Sequence, residues 1–289
     1  MSTYHESVLL KEAIDLLKVQ PGEKYIDATA GGGGDSQEIL RRGGKVLALD
    51  RDPEAIEYIK TNLGNNPNLL AEEVNFSHIY KTAERLGFKE VNGIIFDLGV
   101  SSHQFDTSKR GFSFQNSGPL DMRMDPSIQI RASDLVNNLD KRRLNDIFQE
   151  YAQEKFGLAI ADAICSARQV KAIETTGELA RIVSEVYKGR GARQKLHPAT
   201  KVFQALRIVV NSELLNLQEA LPQTVSLLKK DGRLVVISFH SLEDGIVKRF
   251  LKQEKQLRIL TKLPIGPTEE EMKKNPRSRS AKLRAAQKM

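Results

Sequence analysis

Residues 24–36 have the sequence KYIDATAGGGGDS and are followed by the helical run QEIL at 37–40. An apolar, β-prone segment that leads into four glycines and then into a helix is typical of the first strand, turn and helix of a nucleotide-binding α/β unit. Glycine suits this turn because a Cβ atom would hold the backbone away from a ligand. We expect Asp35 or Ser36 to cap the helix that follows.

A second short apolar segment, residues 45–49, ends in Asp50. A carboxylate at the end of the second strand of such a unit is placed to accept hydrogen bonds from a ribose diol. The glycines alone would fit an ordinary tight turn. The strand, the helix and Asp50 together favour a nucleoside-containing cofactor instead.

The same residues distinguish between two cofactors. A dinucleotide fingerprint requires glycine at its first, third and sixth positions, and the sixth position counted from Gly31 is Ser36. Asp27 lies just before the glycines, where a carboxylate would repel a pyrophosphate and attract a sulfonium or ammonium group. S-adenosylmethionine is therefore preferred to NAD.

Composition narrows the class of protein. The chain has 289 residues, a net charge of +7 and a single cysteine, Cys165. One cysteine excludes an internal disulfide and favours a reducing compartment. The first residues lack a signal-peptide pattern and no run of eighteen apolar residues occurs, so we expect a cytoplasmic protein without membrane contact. The positive charge favours a polyanionic partner such as RNA.

Strands and helices alternate up to about residue 109 and again from 199. The apolar segment 93–97 ends in Asp97, and the carboxyl ends of strands in a doubly wound sheet line the ligand crevice. Asp27, Asp50 and Asp97 should therefore converge. From about residue 110 the pattern first has no clear period, and helical segments then follow without an intervening strand, one of them over 141–170. Residues 110–198 are therefore predicted to be an inserted all-helical subdomain in a discontinuous catalytic domain of residues 1–109 and 199–289. A second long helix is predicted over 199–221.

Several motifs spread over nearly the whole chain match one family. They are GGGGDS (31–36), LDRDP (49–53), FDLGVSS (96–102), RGFSF (110–114), DMRMD (121–125), FQALRI (203–208) and SFHSLED (238–244). In combination they resemble the bacterial small-subunit rRNA cytosine-N4 methyltransferases. The resemblance implies an α/β, class I (Rossmann-like) methyltransferase fold with a helical insertion, S-adenosylmethionine as methyl donor, and a cytidine near the ribosomal decoding centre of 16S rRNA as target.

The resemblance also implies a set of cofactor-binding residues. The family usually has His where this chain has Asp35, so a contact through the backbone N–H would persist here and a contact through an imidazole would not. His103, where the family often has Pro, is a second difference. The implied cofactor residues are Gly33, Gly34, Asp35, Asp50, Phe76, Asp97 and Gln104.

Three roles are open for Asp97: it could orient the methionine end of the cofactor, accept a proton from the target amine, or cap a strand. The exocyclic amine of cytosine is a poor nucleophile because its lone pair is delocalised into the ring, and an acceptor on its N–H helps to localise that pair. Ser101 and Ser102 are the nearest further polar candidates for catalysis. His240 could contact a base, but a structural role is favoured.

Substrate-binding candidates lie in the DMRMD motif and in a basic loop, where Lys and Arg are typical of phosphate contacts but also of plain surface. They are Asp121, Arg123, Asp125, Arg190, Arg193, Lys195 and His240. The expected partner is 16S rRNA or the small ribosomal subunit, and a homodimer is possible. No Cys/His spacing suggests a metal site. The alternatives are a noncatalytic RNA-binding or ribosome-assembly protein and an NAD-dependent oxidoreductase.

Overall fold

A computed structural model describes residues 7–191 and 197–289 of the chain. These residues form two compact units. The first comprises residues up to Ser101 together with Leu214–Met289, and the second comprises Ser102–Glu213. Across the described residues, no helix combines the length and the apolar character that crossing a bilayer requires.

The first unit is built on one mixed sheet. Its order is β3-β2-β1-β4-β5-β7-β6, with parallel pairing from β3 through β5 and antiparallel pairing of β7 to both β5 and β6. The strands β2 and β3 lie on one side of β1, and the chain then crosses to place β4 and β5 on its other side. This topology confirms the class I methyltransferase fold. The strands are β1 Lys24–Asp27, β2 Lys45–Asp50, β3 Leu69–Glu73, β4 Val91–Asp97, β5 Leu228–Ser238, β6 Leu257–Ile259 and β7 Lys282–Lys288.

Helices cover both faces of this sheet because its central strands are apolar on both sides. In β4, Ile94 and Phe96 pack with α4, α11 and α12, whereas Ile95 faces α1, α2 and α3. The helices of the chain are α1 Leu10–Leu17, α2 Gly34–Arg41, α3 Pro53–Leu63, α4 Ile79–Arg85, α5 Ser102–Asp106, α6 Ala132–Asn138, α7 Lys141–Ala152, α8 Gly157–Val170, α9 Thr176–Gly189, α10 Thr200–Val210, α11 Glu213–Leu227, α12 Ser241–Gln253 and α13 Glu269–Lys274.

The second unit contains α5 to α10, and no strand longer than an isolated bridge occurs among its described residues. A capping box starts α9, in which the Thr175 hydroxyl and the Glu178 carboxylate each accept from the other's backbone N–H. The predicted insertion of residues 110–198 falls inside this unit. The unit also includes α10, which the sequence analysis assigned to the catalytic domain, because α10 packs on α6 and α7.

Two predicted long helices are each broken in the structure. The helix expected over 141–170 stops at Gln153, whose φ is 49°, and resumes at Gly157. The helix expected over 199–221 is interrupted at Ser212, whose φ is 48°. Neither residue is glycine or proline, so the sequence carried no breaker signal at either point. At the first break, the Gln149 side-chain amide donates to the Glu154 carbonyl and stabilises the turn.

Candidate cofactor site

The glycine turn lies between β1 and α2. Gly31 and Gly33 both have positive φ, 49° and 78°, a conformation that costs other residues about 1–2 kcal/mol. Gly33 is the N-cap of α2, and no side chain caps this helix. The predicted cap at Asp35 or Ser36 is therefore wrong, because the helix begins at Gly34 and both side chains lie within its first turn.

Asp50 ties the end of β2 to this turn. Its Oδ2 accepts a hydrogen bond of 2.8 Å from the backbone N–H of Gly31, and its Oδ1 accepts one of 2.8 Å from Asp52. Capping of α3 is done by Asp52, whose side chain accepts from the Glu54 N–H. Desolvation raises the pKa of Asp50 above its usual value, and the two backbone donors oppose the rise. Asp50 is thus a turn-binding carboxylate rather than a helix cap.

Asp27, the last residue of β1, is fully buried. Its Oδ2 accepts from the Ser36 hydroxyl at 2.7 Å, and its Oδ1 accepts from the Thr29 N–H at 3.3 Å. Burial raises the pKa of Asp27 to about 6; these two bonds lower it, and the negative charges of Asp97 and Asp50 add to the rise. A positively charged ligand beside this buried carboxylate would stabilise its ionised form.

Asp35 is buried beside the same group. Burial raises the pKa of Asp35 well above its usual value, and the negative charges of Asp27 and Asp97 raise it further. A hydrogen bond with the Ser7 hydroxyl lowers this pKa but does not offset the rise. Its Oδ1 has no hydrogen-bond partner within residues 7–191 and 197–289. A buried polar atom in this situation is an available contact for a ligand.

Asp97 ends β4 next to β1. Its backbone N–H donates to the Thr29 hydroxyl at 2.6 Å, which fixes the end of β4 relative to the segment that precedes the glycines. The structure thus brings the carboxylates of Asp27, Asp50 and Asp97 to one edge of the sheet, with Asp35 beside them. Such a cluster suits a ligand that carries both hydroxyl groups and positive charge, as S-adenosylmethionine does.

Phe76 and Ser101 flank this edge of the first unit. Phe76 is 9% exposed and packs edge-to-face on Phe96, with ring centroids 5.6 Å apart. Ser101 approaches the glycine turn, since a Cβ built on Gly31 would lie 3.8 Å from the Ser101 Cβ. Both predicted site residues are therefore near the ends of the central strands.

Residues 2–289 match the family described as the MraW methylase family. The chain belongs to this family. Membership of the MraW methylase family, with a class I fold, makes the protein an S-adenosylmethionine-dependent methyltransferase, which confirms the predicted cofactor and excludes the NAD-dependent alternative.

Relatives in the MraW methylase family match over their full length. A protein of Carboxydothermus hydrogenoformans is 43% identical over 309 aligned residues, covering 100% of this chain and 99% of its own. One of Thermomicrobium roseum is 45% identical, covering 100% and 95%. One of Halothermothrix orenii is 42% identical, covering 99% and 98%. Each of the three is named "Ribosomal RNA small subunit methyltransferase H".

The remaining cofactor and catalytic candidates of this MraW family member belong to the second unit. Ser102 begins α5 and Gln104 is buried within it, 5% exposed. Their assignment to catalysis and to cofactor binding stays a prediction.

The DMRMD motif forms a braced loop within the second unit. The Arg123 guanidinium makes two hydrogen bonds to the Asp121 carboxylate, at 2.7 and 2.8 Å, and donates to two loop carbonyls. Burial works to raise the pKa of Asp121, but Arg123 outweighs it and holds that pKa below its usual value. Asp125 accepts from the Ser127 N–H. Asn211 then holds the loop through the Met122 carbonyl and the Met124 N–H.

His240 is the N-cap of α12 in the first unit. Its Nδ1 accepts from the Glu243 N–H at 3.4 Å, and the Glu243 carboxylate accepts from the His240 N–H, which completes a capping box. This geometry fits the structural role favoured for His240. Arg190 is exposed at the end of α9, whereas Arg193 and Lys195 lie outside the described residues.

Sequence reasoning missed two supporting residues, Ser7 and Thr29. The hydroxyl of Ser7 bonds to Asp35, and a Cβ on Gly34 would lie 2.2 Å from that hydroxyl oxygen. Thr29 accepts from the Asp97 N–H. Thr29 stands between Asp27 and the glycines, which is a signal that could have been used; Ser7 is remote in sequence and gave none.

Proposed function

We propose that the protein transfers a methyl group from S-adenosylmethionine to the exocyclic N4 amine of a cytidine in 16S rRNA, near the decoding centre. The observation that carries this proposal is the identity of 42–45%, over the full chain, to three proteins named as small-subunit rRNA methyltransferases. The choice of N4 follows from the family resemblance and from the chemistry of the residues at the strand ends.

In this proposal each residue at the strand ends contacts a different part of the cofactor. Asp50 accepts hydrogen bonds from the ribose hydroxyls, using acceptor capacity that Gly31 and Asp52 leave open. Phe76 packs against the adenine. The backbone at Gly33 and Gly34, together with Asp35, lies along the methionine portion. The bound cofactor supplies an electrophilic methyl group on a positively charged sulfur, which the carboxylates of Asp27 and Asp97 stabilise electrostatically.

Asp97 has two proposed roles at this edge. It either orients the methionine end of the cofactor or accepts a proton from the cytosine amine, and the hydrogen bond from its N–H to Thr29 holds its backbone in position for both. Ser101 and Ser102 are proposed to hold the base edge by hydrogen bonds. Methyl transfer then needs in-line approach of the amine to the methyl carbon, and positioning provides most of the acceleration.

Other acceptor atoms are disfavoured by the residues available. Methylation at carbon 5 of a pyrimidine requires a cysteine nucleophile, and Cys165 is half-buried on α8 in the second unit. Ribose methylation would require a lysine-centred set of bases, whereas the strands β1, β2 and β4 end in Asp27, Asp50 and Asp97. An exocyclic amine beside an acidic cluster fits these residues better.

The second unit is proposed to recognise the RNA. It holds Gln104, Asp121, Arg123, Asp125 and Arg190, and it lies outside the alternating catalytic core. The substrate would be 16S rRNA, free or in the assembled small subunit, and the protein would act in the cytoplasm. The homodimer stays a prediction.

The test is methyl transfer from labelled S-adenosylmethionine to small-subunit RNA, with the modified nucleoside identified by mass spectrometry. We expect N4-methylated cytidine, at a position that is unmodified in a strain lacking the gene. A methyl group on carbon 5 or on the ribose would contradict the proposal. Failure to label either free RNA or intact subunits would favour the noncatalytic assembly protein.

A further inference from the structure

An open groove runs along α8 and α9 of the second unit, and Arg190 is the one proposed site residue in its lining. Its volume is about 720 Å³, within the range of about 300–1,000 Å³ that is typical of pockets for small organic ligands. We call it the α8–α9 groove. It is defined by Lys141, Lys155, Phe156, Leu158, Asp162 and Arg190.

Two cations stack on one aromatic ring in this groove. The Lys155 Nζ lies 4.7 Å from the centroid of the Phe156 ring, and the Arg190 Cζ lies 5.2 Å from it. Among the described residues, the ion pair in this groove joins Lys141 to Asp162 and involves neither of these two side chains. The ring itself is held by an edge-to-face contact with Tyr187 at 4.9 Å. Cation–π contact thus places two positive charges beside an aromatic surface.

The rest of the lining is different in character. Leu158 is 58% exposed and contributes an uncovered apolar surface to the groove. Lys141 is neutralised by Asp162 at 2.8 Å. The groove therefore combines a positive aromatic end, an apolar wall and the carboxylates of Asp162 and Glu185.

We propose that the α8–α9 groove binds a single-stranded segment of the RNA substrate. On binding, Lys155 and Arg190 leave the Phe156 ring to contact phosphates, and a base takes their place on the surface formed by Phe156 and Leu158. Sequence-tolerant stacking beside positive charge is the usual way in which proteins bind single strands. This inference rests on the proposed function, because it takes RNA as the substrate.

An acidic peptide is the competing occupant, since it would also be attracted to Lys155 and Arg190. The groove also presents the carboxylates of Asp162 and Glu185. These repel phosphates as well as acidic side chains, so charge does not separate the two occupants, but they accept hydrogen bonds from amino groups on base edges and from ribose 2′-hydroxyls. The flat ring of Phe156 can also stack on a base, which an acidic side chain cannot do. The lining therefore favours RNA.

The experiment measures equilibrium binding of the full-length protein to naked 16S rRNA and to intact small subunits over a range of salt concentrations. The double variant Lys155→Gln, Arg190→Gln should bind naked RNA more weakly. Its log–log salt slope should be smaller by about 1.4, that is about 0.7 for each phosphate contact on a single strand. Phe156→Leu should lower affinity about 5-fold or more without changing the slope, since it removes stacking but no charge.

The control is Lys171→Gln, which removes a positive charge in the same unit that Glu178 already compensates at 2.7 Å. It should leave affinity and slope nearly unchanged. Circular dichroism and S-adenosylmethionine affinity, measured for every variant, identify any loss of folding; a variant that fails them is replaced by the single Arg190→Gln variant, which alters an exposed helix end.

The outcomes separate this inference from the proposed function. If the wild type methylates the RNA but the groove variants bind naked RNA as the wild type does, the inference is wrong and the function stands. If the groove variants lose affinity only for intact subunits, a ribosomal protein is the occupant and the RNA inference is overturned. If the groove variants lose affinity for naked RNA but the wild type transfers no methyl group, the groove is an RNA site and the proposed function fails.

Discussion

The carboxylate of Asp50, at the end of β2, accepts a 2.8 Å hydrogen bond from the backbone N–H of Gly31 in the glycine turn. The same carboxylate accepts from Asp52 at the start of α3. One side chain therefore fixes three backbone segments that meet at the cofactor edge. A residue proposed to bind the ribose is also part of what gives the turn its shape.

Replacing Asp50 should show both roles. We expect Asp50→Ala to weaken S-adenosylmethionine binding by about 1–3 kcal/mol, because it leaves ribose hydroxyls and two backbone donors without an acceptor. Asp50→Asn keeps one acceptor oxygen and should lose less. Calorimetric titration measures the effect, and unchanged affinity in the alanine variant would remove Asp50 from the site.

Asp27 should make the stability of the ligand-free protein depend on pH. Its pKa is raised to about 6 in the folded state from a usual value of 3.8, so folding favours the protonated form. That stabilisation is present below about pH 4 and is lost as pH rises through about 6. Asp27→Asn does not ionise, so its free energy of unfolding should rise relative to that of the wild type by about 3 kcal/mol across this window, at about 1.36 kcal/mol for each pKa unit.

Urea unfolding at several pH values between 4 and 8 measures this difference. Asp146→Asn removes an exposed carboxylate from α7 and serves as the matched control. A difference between Asp27→Asn and wild type that stays constant with pH would contradict the assignment of Asp27 as a buried, desolvated acid.

Gly33 and Gly22 allow the glycine turn to be tested against a matched position. Both have φ near 80°, but a Cβ on Gly33 would lie 3.0 Å from the Leu63 Cδ1, whereas one on Gly22 would meet nothing within 4 Å. Each alanine variant should lose about 1–2 kcal/mol of stability from its backbone conformation. Gly33→Ala should lose more and should also bind S-adenosylmethionine more weakly. Equal effects of the two substitutions on binding would mean that the turn does not approach the cofactor.

Asp97 and Cys165 separate the possible target atoms. Cys165→Ala should keep near-normal turnover, because methylation of an amine needs no covalent adduct. The rate of methyl transfer should fall by about 10²-fold or more in Asp97→Ala, because this is the usual contribution of a positioned acid–base group. Single-turnover methyl transfer with saturating RNA measures both. An inactive but folded Cys165→Ala variant would contradict methylation of the amine.

Much of the site was predictable because its residues follow strands. Asp27, Asp50 and Asp97 each end an apolar strand. Parallel strands bring their carboxyl ends to one edge of the sheet, and this does not depend on the conformation of the connecting loops. The interruptions at Gln153 and Ser212 were not predictable, since residues other than glycine take left-handed φ there and tertiary packing compensates for the strain. The bond between Ser7 and Asp35 joins distant parts of the sequence, and local patterns carry no information about it.

The pairing of β4 with β5 has a consequence for how the protein is made. Gly93 lies opposite Arg233 in the sheet, and the whole second unit is translated between them. At about 5–20 residues per second, the ribosome needs on the order of ten seconds to supply the missing neighbour. During that time the backbone edge of β4 that pairs with β5 in the folded sheet has no strand to pair with, although β1 is available on its other side. Nascent chains should therefore be most prone to aggregation, and most dependent on chaperones, in the interval after β4 emerges and before β5 does.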